Sequence, residues 1–245
     1  MFPLYDDNPT RGFAFVTVLI IALNAAAWLF AQGAGSEPAL THSVCVFGLI
    51  PGELLGRLRP GTAIELGPDI NCVIGHPNWW TPFTSMFMHG GWFHIIGNMW
   101  FLWVFGNNVE DAMGQARFVI FYVLCGLAAA ATQVFMSPAS ALPMVGASGA
   151  IGGVMGAYAI RFPNARVMTL ILLGFFSRTV WVSAWVMLGY WFFLQFLGAL
   201  PALGSDEGGV AFWAHIGGFA AGVVLQLILG GRGNFAGQDD DRRAI

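Results

Sequence analysis

Lysine is absent from this 245-residue chain, so its ten basic residues are all arginine. Charged residues of either sign make up only 9% of the sequence, against about 25% in an average soluble chain. There is no basic stripe, which argues against a nucleic-acid partner, and a net charge of -3 points to no other. Three cysteines are too few for a disulfide scaffold. Cys45 and Cys72 share one long loop and can pair if that loop lies outside; free thiols are the default reading. No repeat of fixed period is present. What remains is apolar: hydrophobic residues reach 57% and aromatics 15%. A soluble core of this length cannot hide that much apolar surface, so lipid must solvate much of it. Glycine is abundant too, as it is in membrane helices that pack closely.

A membrane helix needs about 20 mostly apolar residues. Six runs qualify as candidates: 13–32, 92–109, 117–136, 148–163, 181–200 and 209–230. The fourth is short and Gly-rich, which suggests a helix that starts below the membrane surface inside protein. Residues 167–177 are apolar but short, and either extend the fifth helix or lie at the interface. The arginines set the orientation. Arg11 precedes the first run, Arg117 lies between the second and third, and Arg161, Arg166 and Arg178 mark the fourth-to-fifth junction. Arg232, Arg242 and Arg243 follow the sixth, whereas 137–147 and 201–208 hold no arginine. The positive-inside rule then puts both termini in the cytoplasm; Arg57 and Arg59 lie in a long loop, where the rule is weak. The first run follows Asp6 and Asp7 and is too long for a signal-peptide core. The expected organisation is a short cytoplasmic segment 1–12, a membrane domain 13–230 and a disordered cytoplasmic tail 231–245. Loop 33–91 is apolar enough to lie partly in the bilayer interface. The lack of a transit peptide and the short polar tails suggest a bacterial inner membrane.

Polar side chains inside such runs are costly and are functional candidates by default. Ser148, in Gly146-Ala-Ser-Gly149, follows an arginine-free outer loop. A membrane serine is usually structural, but the flanking glycines leave room for a substrate backbone. His215 lies about seven residues inside the sixth run, roughly 10 Å below its outer end, a depth that matches Ser148. A core histidine or a proton relay is the plainer reading of such a residue. Gly149 and Gly153, with Gly152 and Gly156 beside them, and Gly218 with Gly222 form small-residue stripes that bring two helices together. Close packing of these helices puts imidazole and hydroxyl within hydrogen-bond reach, which activates a weak nucleophile. His94 and Asn98 share one helix face and can donate to an oxyanion beside the Ser148 N–H. A metal site of His89, His94 and His215 is the rival, but no cysteine or carboxylate completes it. Glu110 and Asp111 read as structural partners of Arg117 and loop N–H groups, and Asn24 as an interhelical hydrogen bond.

With these residues in place, the sequence resembles the rhomboid intramembrane proteases over roughly residues 80–230. The resemblance rests on His94-Ile-Ile-Gly-Asn98, on Gly146-Ala-Ser-Gly-Ala-Ile151, and on Ala214-His-Ile-Gly-Gly218 with Gly222. Glu110 and Gly114 match the family's second-to-third junction. The resemblance implies an all-α, six-helix membrane bundle with a Ser148–His215 dyad, an oxyanion site of His94, Asn98 and the Gly146 region, and no cofactor or metal. Its substrates would be transmembrane proteins, entering between the second and fifth helices. Two positions depart from the pattern. Trp80 is followed by Thr81 where members often have arginine, and Gly152 stands where an aromatic residue often packs on the imidazole. Trp213 or Trp100 is the expected substitute. The runner-up reading is a rhomboid-like module that binds membrane proteins without cutting them. A small transporter would need inverted repeats and intramembrane carboxylates, and neither is present.

Overall fold

The computed structural model describes residues 1–67, 70–173, 176–200 and 211–229. It is mainly helical. Each predicted apolar run holds a helix: α1 (Phe15–Ala26, continued by a π turn over Ala27–Ala31), α5 (Trp92–Met113), α6 (Gln115–Met136), α7 (Ser148–Arg161), α8 (Ala184–Ala199) and α9 (Phe212–Leu229). By length and composition, α6 and α9 suffice to cross a membrane; α1 and α8 are apolar but shorter. The polarity is inside out. Phe30, Phe93, Leu227 and Ile228 face outward, while Asn24, Asn98, Asn108, Glu110 and Gln226 are buried. Such a surface suits lipid, because exposed apolar side chains then cost nothing and polar groups are kept inside the protein.

The buried helix is α7, whose residues from Gly149 to Tyr158 are all inside. It tolerates that position because its glycines let α9 press backbone to backbone. A Cβ at Gly218 would strike the Gly149 carbonyl, one at Gly222 the Gly153 carbonyl, and one at Gly156 the Phe219 carbonyl. Close approach gains dispersion energy where lipid supplies no hydrophobic drive. α5 and α6 are joined through Gly114 alone, whose φ of 82° a side chain would oppose.

The strands have no counterpart in the sequence reading. β1 (Phe2–Asp6), β4 (Arg166–Leu173) and β5 (Phe176–Ser183) form an antiparallel sheet in the order β1-β4-β5. The described residues of 167–177 are therefore paired antiparallel strands rather than an extension of the fifth helix, and α8 begins only at Ala184. The N-terminal segment is a strand of that sheet, tied by the Asp7–Arg166 ion pair at 2.7 Å. Beneath it, Glu110 accepts hydrogen bonds from Val16 N–H (2.9 Å), Thr17 N–H (2.7 Å) and Thr17 Oγ–H (2.8 Å). Its partners are thus the orphan donors of the α1 N-terminus, not Arg117, which is exposed. Asp111 accepts from Arg11 N–H at 3.3 Å. Asn24 donates back to Ile20 O on its own helix, at 2.9 Å, instead of bridging helices.

The long loop is structured: α2 (Ala39–Phe47), α3 (Pro51–Leu54), the hairpin of β2 (Ala63–Gly67) and β3 (Ile70–Val73), and α4 (Thr81–Thr84). A Cys45–Cys72 disulfide pins the hairpin to α2. Trp79 and Trp80 are 72% and 75% exposed, as interfacial aromatics would be. The expected tail 231–245 lies outside the described residues.

Candidate active site

Ser148 is the first residue of α7, and His215 sits in the first turns of α9. The glycine contact between these helices brings the two side chains together: Ser148 Oγ lies 2.8 Å from His215 Nε2. Both are half-buried. The opposite ring nitrogen also has a partner, since His215 Nδ1 lies 2.8 Å from Gln195 Oε1 on α8. The Gln195 amide is oriented by its own Nε2, which donates to the Trp191 carbonyl at 3.3 Å. A carbonyl can only accept, so the amide oxygen faces the imidazole. A proton on Nδ1 would find an acceptor there and would leave Nε2 to present a lone pair to the serine hydroxyl.

Sequence reasoning leaves open what replaces the missing aromatic residue at position 152. The answer is Trp191, whose ring centroid lies 5.8 Å from that of His215. Neither expected substitute does this. Trp100 donates to Pro3 O at 2.7 Å and stacks on Phe2 at the sheet, and among the described residues Trp213 makes no ring contact with the imidazole. A side chain at position 152 would crowd the backbone of α9. A Cβ there would come within 3.1 Å of the His215 carbonyl oxygen and 3.5 Å of Phe219 N, against the backbone of α9.

His94 and Asn98, one turn apart on α5, converge on the chain just before Ser148. A Cβ on Gly146 would lie 2.7 Å from His94 Nε2 and 3.4 Å from Asn98 Nδ2. Gly146 has φ of 120° and donates to Ser85 O at 2.9 Å, which fixes the turn into α7. His94 Nδ1 accepts from Gly90 N–H at 3.3 Å, so its Nε2 carries the proton and is a donor. Asn98 Nδ2 is buried with no hydrogen-bond partner among the described residues. A buried amide donor without an acceptor is costly unless a ligand supplies one. His94, Asn98 and Ser148 line one cavity, into which the α7 N-terminus can also offer backbone N–H groups.

His89 is fully buried, its backbone clasped by Gln32 through two hydrogen bonds of 2.8 Å. Burial, then the neighbouring His94, pushes its pKa down to about 3, so it is a neutral shelf for the His94 ring, 5.1 Å away edge-to-face. Among the described residues no group of three or more His, Cys, Asp or Glu side chains is arranged to hold a metal ion.

The site opens into a cavity of about 720 Å³ between α5, α7, α8 and α9, roofed by residues including Val44 and Leu66. Three residues here escape sequence reasoning: Gln195, Trp191 and Gln133. Gln133 Oε1 accepts from Ala214 N–H at 3.3 Å and so caps the first turn of α9 beside His215. Gln195 stands alone as an amide in an apolar helix, the same signal that singles out Asn98.

Residues 76–232 match the family model of the Rhomboid domain. The chain is 29% identical over 198 residues to the rhomboid protease GluP of Bacillus subtilis, covering 79% of this chain and 35% of that protein. It is 26% identical over 243 residues to RHOMBOID-like protein 5 of Arabidopsis thaliana, covering 90% of this chain and 69% of the relative. Against the putative rhomboid protease YdcA of Bacillus subtilis, identity is 30% over 144 residues, or 58% and 60% of the two chains. The chain therefore spans only about a third of the length of GluP.

Proposed function

The chain belongs to the rhomboid family, and from that premise we propose that it is an intramembrane serine endopeptidase with Ser148 as nucleophile and His215 as general base. The observation that carries this reading is the 2.8 Å contact from Ser148 Oγ to His215 Nε2, in the cavity that Asn98 also lines, its buried Nδ2 having no partner among the described residues. His215 takes the hydroxyl proton as Oγ attacks the scissile carbonyl. The carbonyl oxygen becomes an oxyanion, which Asn98 Nδ2, His94 Nε2 and the Ser148 N–H stabilise. His215 then returns the proton to the leaving amine, and water repeats the sequence to release the acyl group.

In this reading the six helices α1, α5, α6, α7, α8 and α9 span a bacterial plasma membrane with both termini cytoplasmic. Residues 1–12 lie on the inner face and 13–230 form the membrane domain. Substrates are transmembrane proteins, whose helices must unwind locally because a helical peptide bond is shielded. The non-cutting alternative drew its support from Gly152, and the Trp191 ring beside the imidazole supports the catalytic reading instead.

The test is cleavage of a model transmembrane substrate in liposomes by wild type, Ser148→Ala and His215→Ala. Cleavage by wild type and its loss in both variants, with unchanged thermal unfolding, is the expected result. Absence of wild-type cleavage across a varied substrate panel would favour the binding module.

A further inference from the structure

Once Ser148 and His215 are paired, the second ring nitrogen still needs an account. A neutral imidazole works as a base through Nε2 only when its proton sits on Nδ1, and the two tautomers are close in energy without a partner. Something in the site must select one. No carboxylate lines the cavity among the described residues. The atom facing Nδ1 is Gln195 Oε1, at 2.8 Å. It is locked in the accepting orientation by the Gln195 Nε2 bond to Trp191 O. One turn earlier on the same helix, the Trp191 ring lies against the imidazole and reaches on to Phe219 at 6.3 Å.

We propose that Gln195 is a positioning residue that fixes the Nδ1-protonated tautomer of His215, with Trp191 as the wall that holds the ring in that plane. This rests on the proteolytic reading above. The amide does the orienting work that a carboxylate does in a charged triad, without placing a negative charge in the membrane. It steadies the neutral imidazole and offers less to the imidazolium than a carboxylate would. Both groups come from α8, so the alignment of the base depends on where that helix lies against α9.

The test separates positioning from packing and from the activity itself. In ¹⁵N-histidine protein in detergent micelles, the His215 signals are identified by their loss in His215→Ala. They should show Nδ1 protonated in wild type and a mixture of tautomers in Gln195→Met, which keeps the shape and removes the amide. In liposome assays Gln195→Met should lower kcat about tenfold, as losing one neutral hydrogen bond would, with KM within about twofold. Gln195→Glu keeps an oxygen acceptor in either protonation state and should restore most of kcat. A wild-type spectrum with the proton on Nε2 overturns the proposal. So does a Gln195→Met enzyme with unchanged kcat, or one in which only KM rises. If Gln195→Met fails to fold, the wild-type tautomer and the Gln195→Glu turnover still decide. A wild type that carries the Nδ1 proton yet cuts nothing sustains this assignment and sinks the proteolytic reading instead.

Discussion

At the scale of the residue, the decisive feature is a set of polar side chains placed inside apolar helices. Asn98 Nδ2 has no acceptor among the described residues and is buried, so the resting protein bears a cost that an oxyanion would relieve. Asn98→Ala should therefore lower kcat by about 10²–10³ while changing KM little, the signature of a donor used only in the transition state. Steady-state kinetics on a transmembrane substrate checks this, and an equal loss in KM alone would assign Asn98 to substrate binding. Ser148, His215, His94 and Asn98 are all legible in the sequence, because each interrupts an apolar run and is expensive there. Gln195 obeys the same rule, but a single amide in a helix suggests no chemistry until its partner is known. Trp191 is illegible for a different reason. Among many lipid-facing aromatics, nothing in sequence marks the one that turns inward.

At the scale of the element, the helices follow from apolar length, and their expected ends are right to within a few residues. The sheet is hidden from sequence because β1 and β4 are more than 160 residues apart along the chain, Phe2 against Leu170, and no local pattern reports such a pairing. The apolar run 167–177 looks alike as helix or strand by periodicity. The consequence of that sheet is a half-buried acid. The Tyr158 hydroxyl of α7 donates to the Asp6 carboxyl of β1. Burial chiefly, with the neighbouring Asp7 charge adding to it, raises the Asp6 pKa from 3.8 to about 6, although the Tyr158 bond opposes the shift. A raised pKa means that the folded state binds the proton more tightly than the unfolded chain. The stabilisation from Asp6 is therefore complete below about pH 4 and is lost as pH climbs through about 6. Wild type should lose melting temperature between pH 4 and pH 7 relative to Asp6→Asn, which keeps a partner for Tyr158 but cannot titrate. Parallel melting curves for the two proteins across that range would show that Asp6 is not held in its neutral form.

At the scale of the whole molecule, chemistry and anchoring sit at opposite ends of the same helices. Along α5, His94 at the site and Glu110 beneath the α1 N-terminus are sixteen residues apart, about 24 Å at the helical rise. The site end carries the Cys45–Cys72 disulfide and the exposed Trp79 and Trp80; the other end carries the Asp7–Arg166 pair and the exposed Arg117. A persistent disulfide needs an oxidising compartment, whereas arginine near a span end favours the cytoplasm. Under the proposed topology these two unrelated signals agree, with the cavity facing outward. This matters for the proposed reaction, in which water would have to reach an acyl-enzyme from the aqueous side nearest Ser148. The orientation can be read by single-cysteine labelling in spheroplasts of a bacterial expression host. The native thiols do not compete, since Cys45 and Cys72 are bonded to each other and Cys125 is buried. Arg57→Cys, in the long loop, should react with a membrane-impermeant maleimide in intact spheroplasts, and Arg117→Cys, between α5 and α6, only after lysis. The reverse pattern would put the cavity in the reducing compartment, where the disulfide could not persist, and would overturn the proposed topology while leaving the Ser148–His215 geometry as it stands.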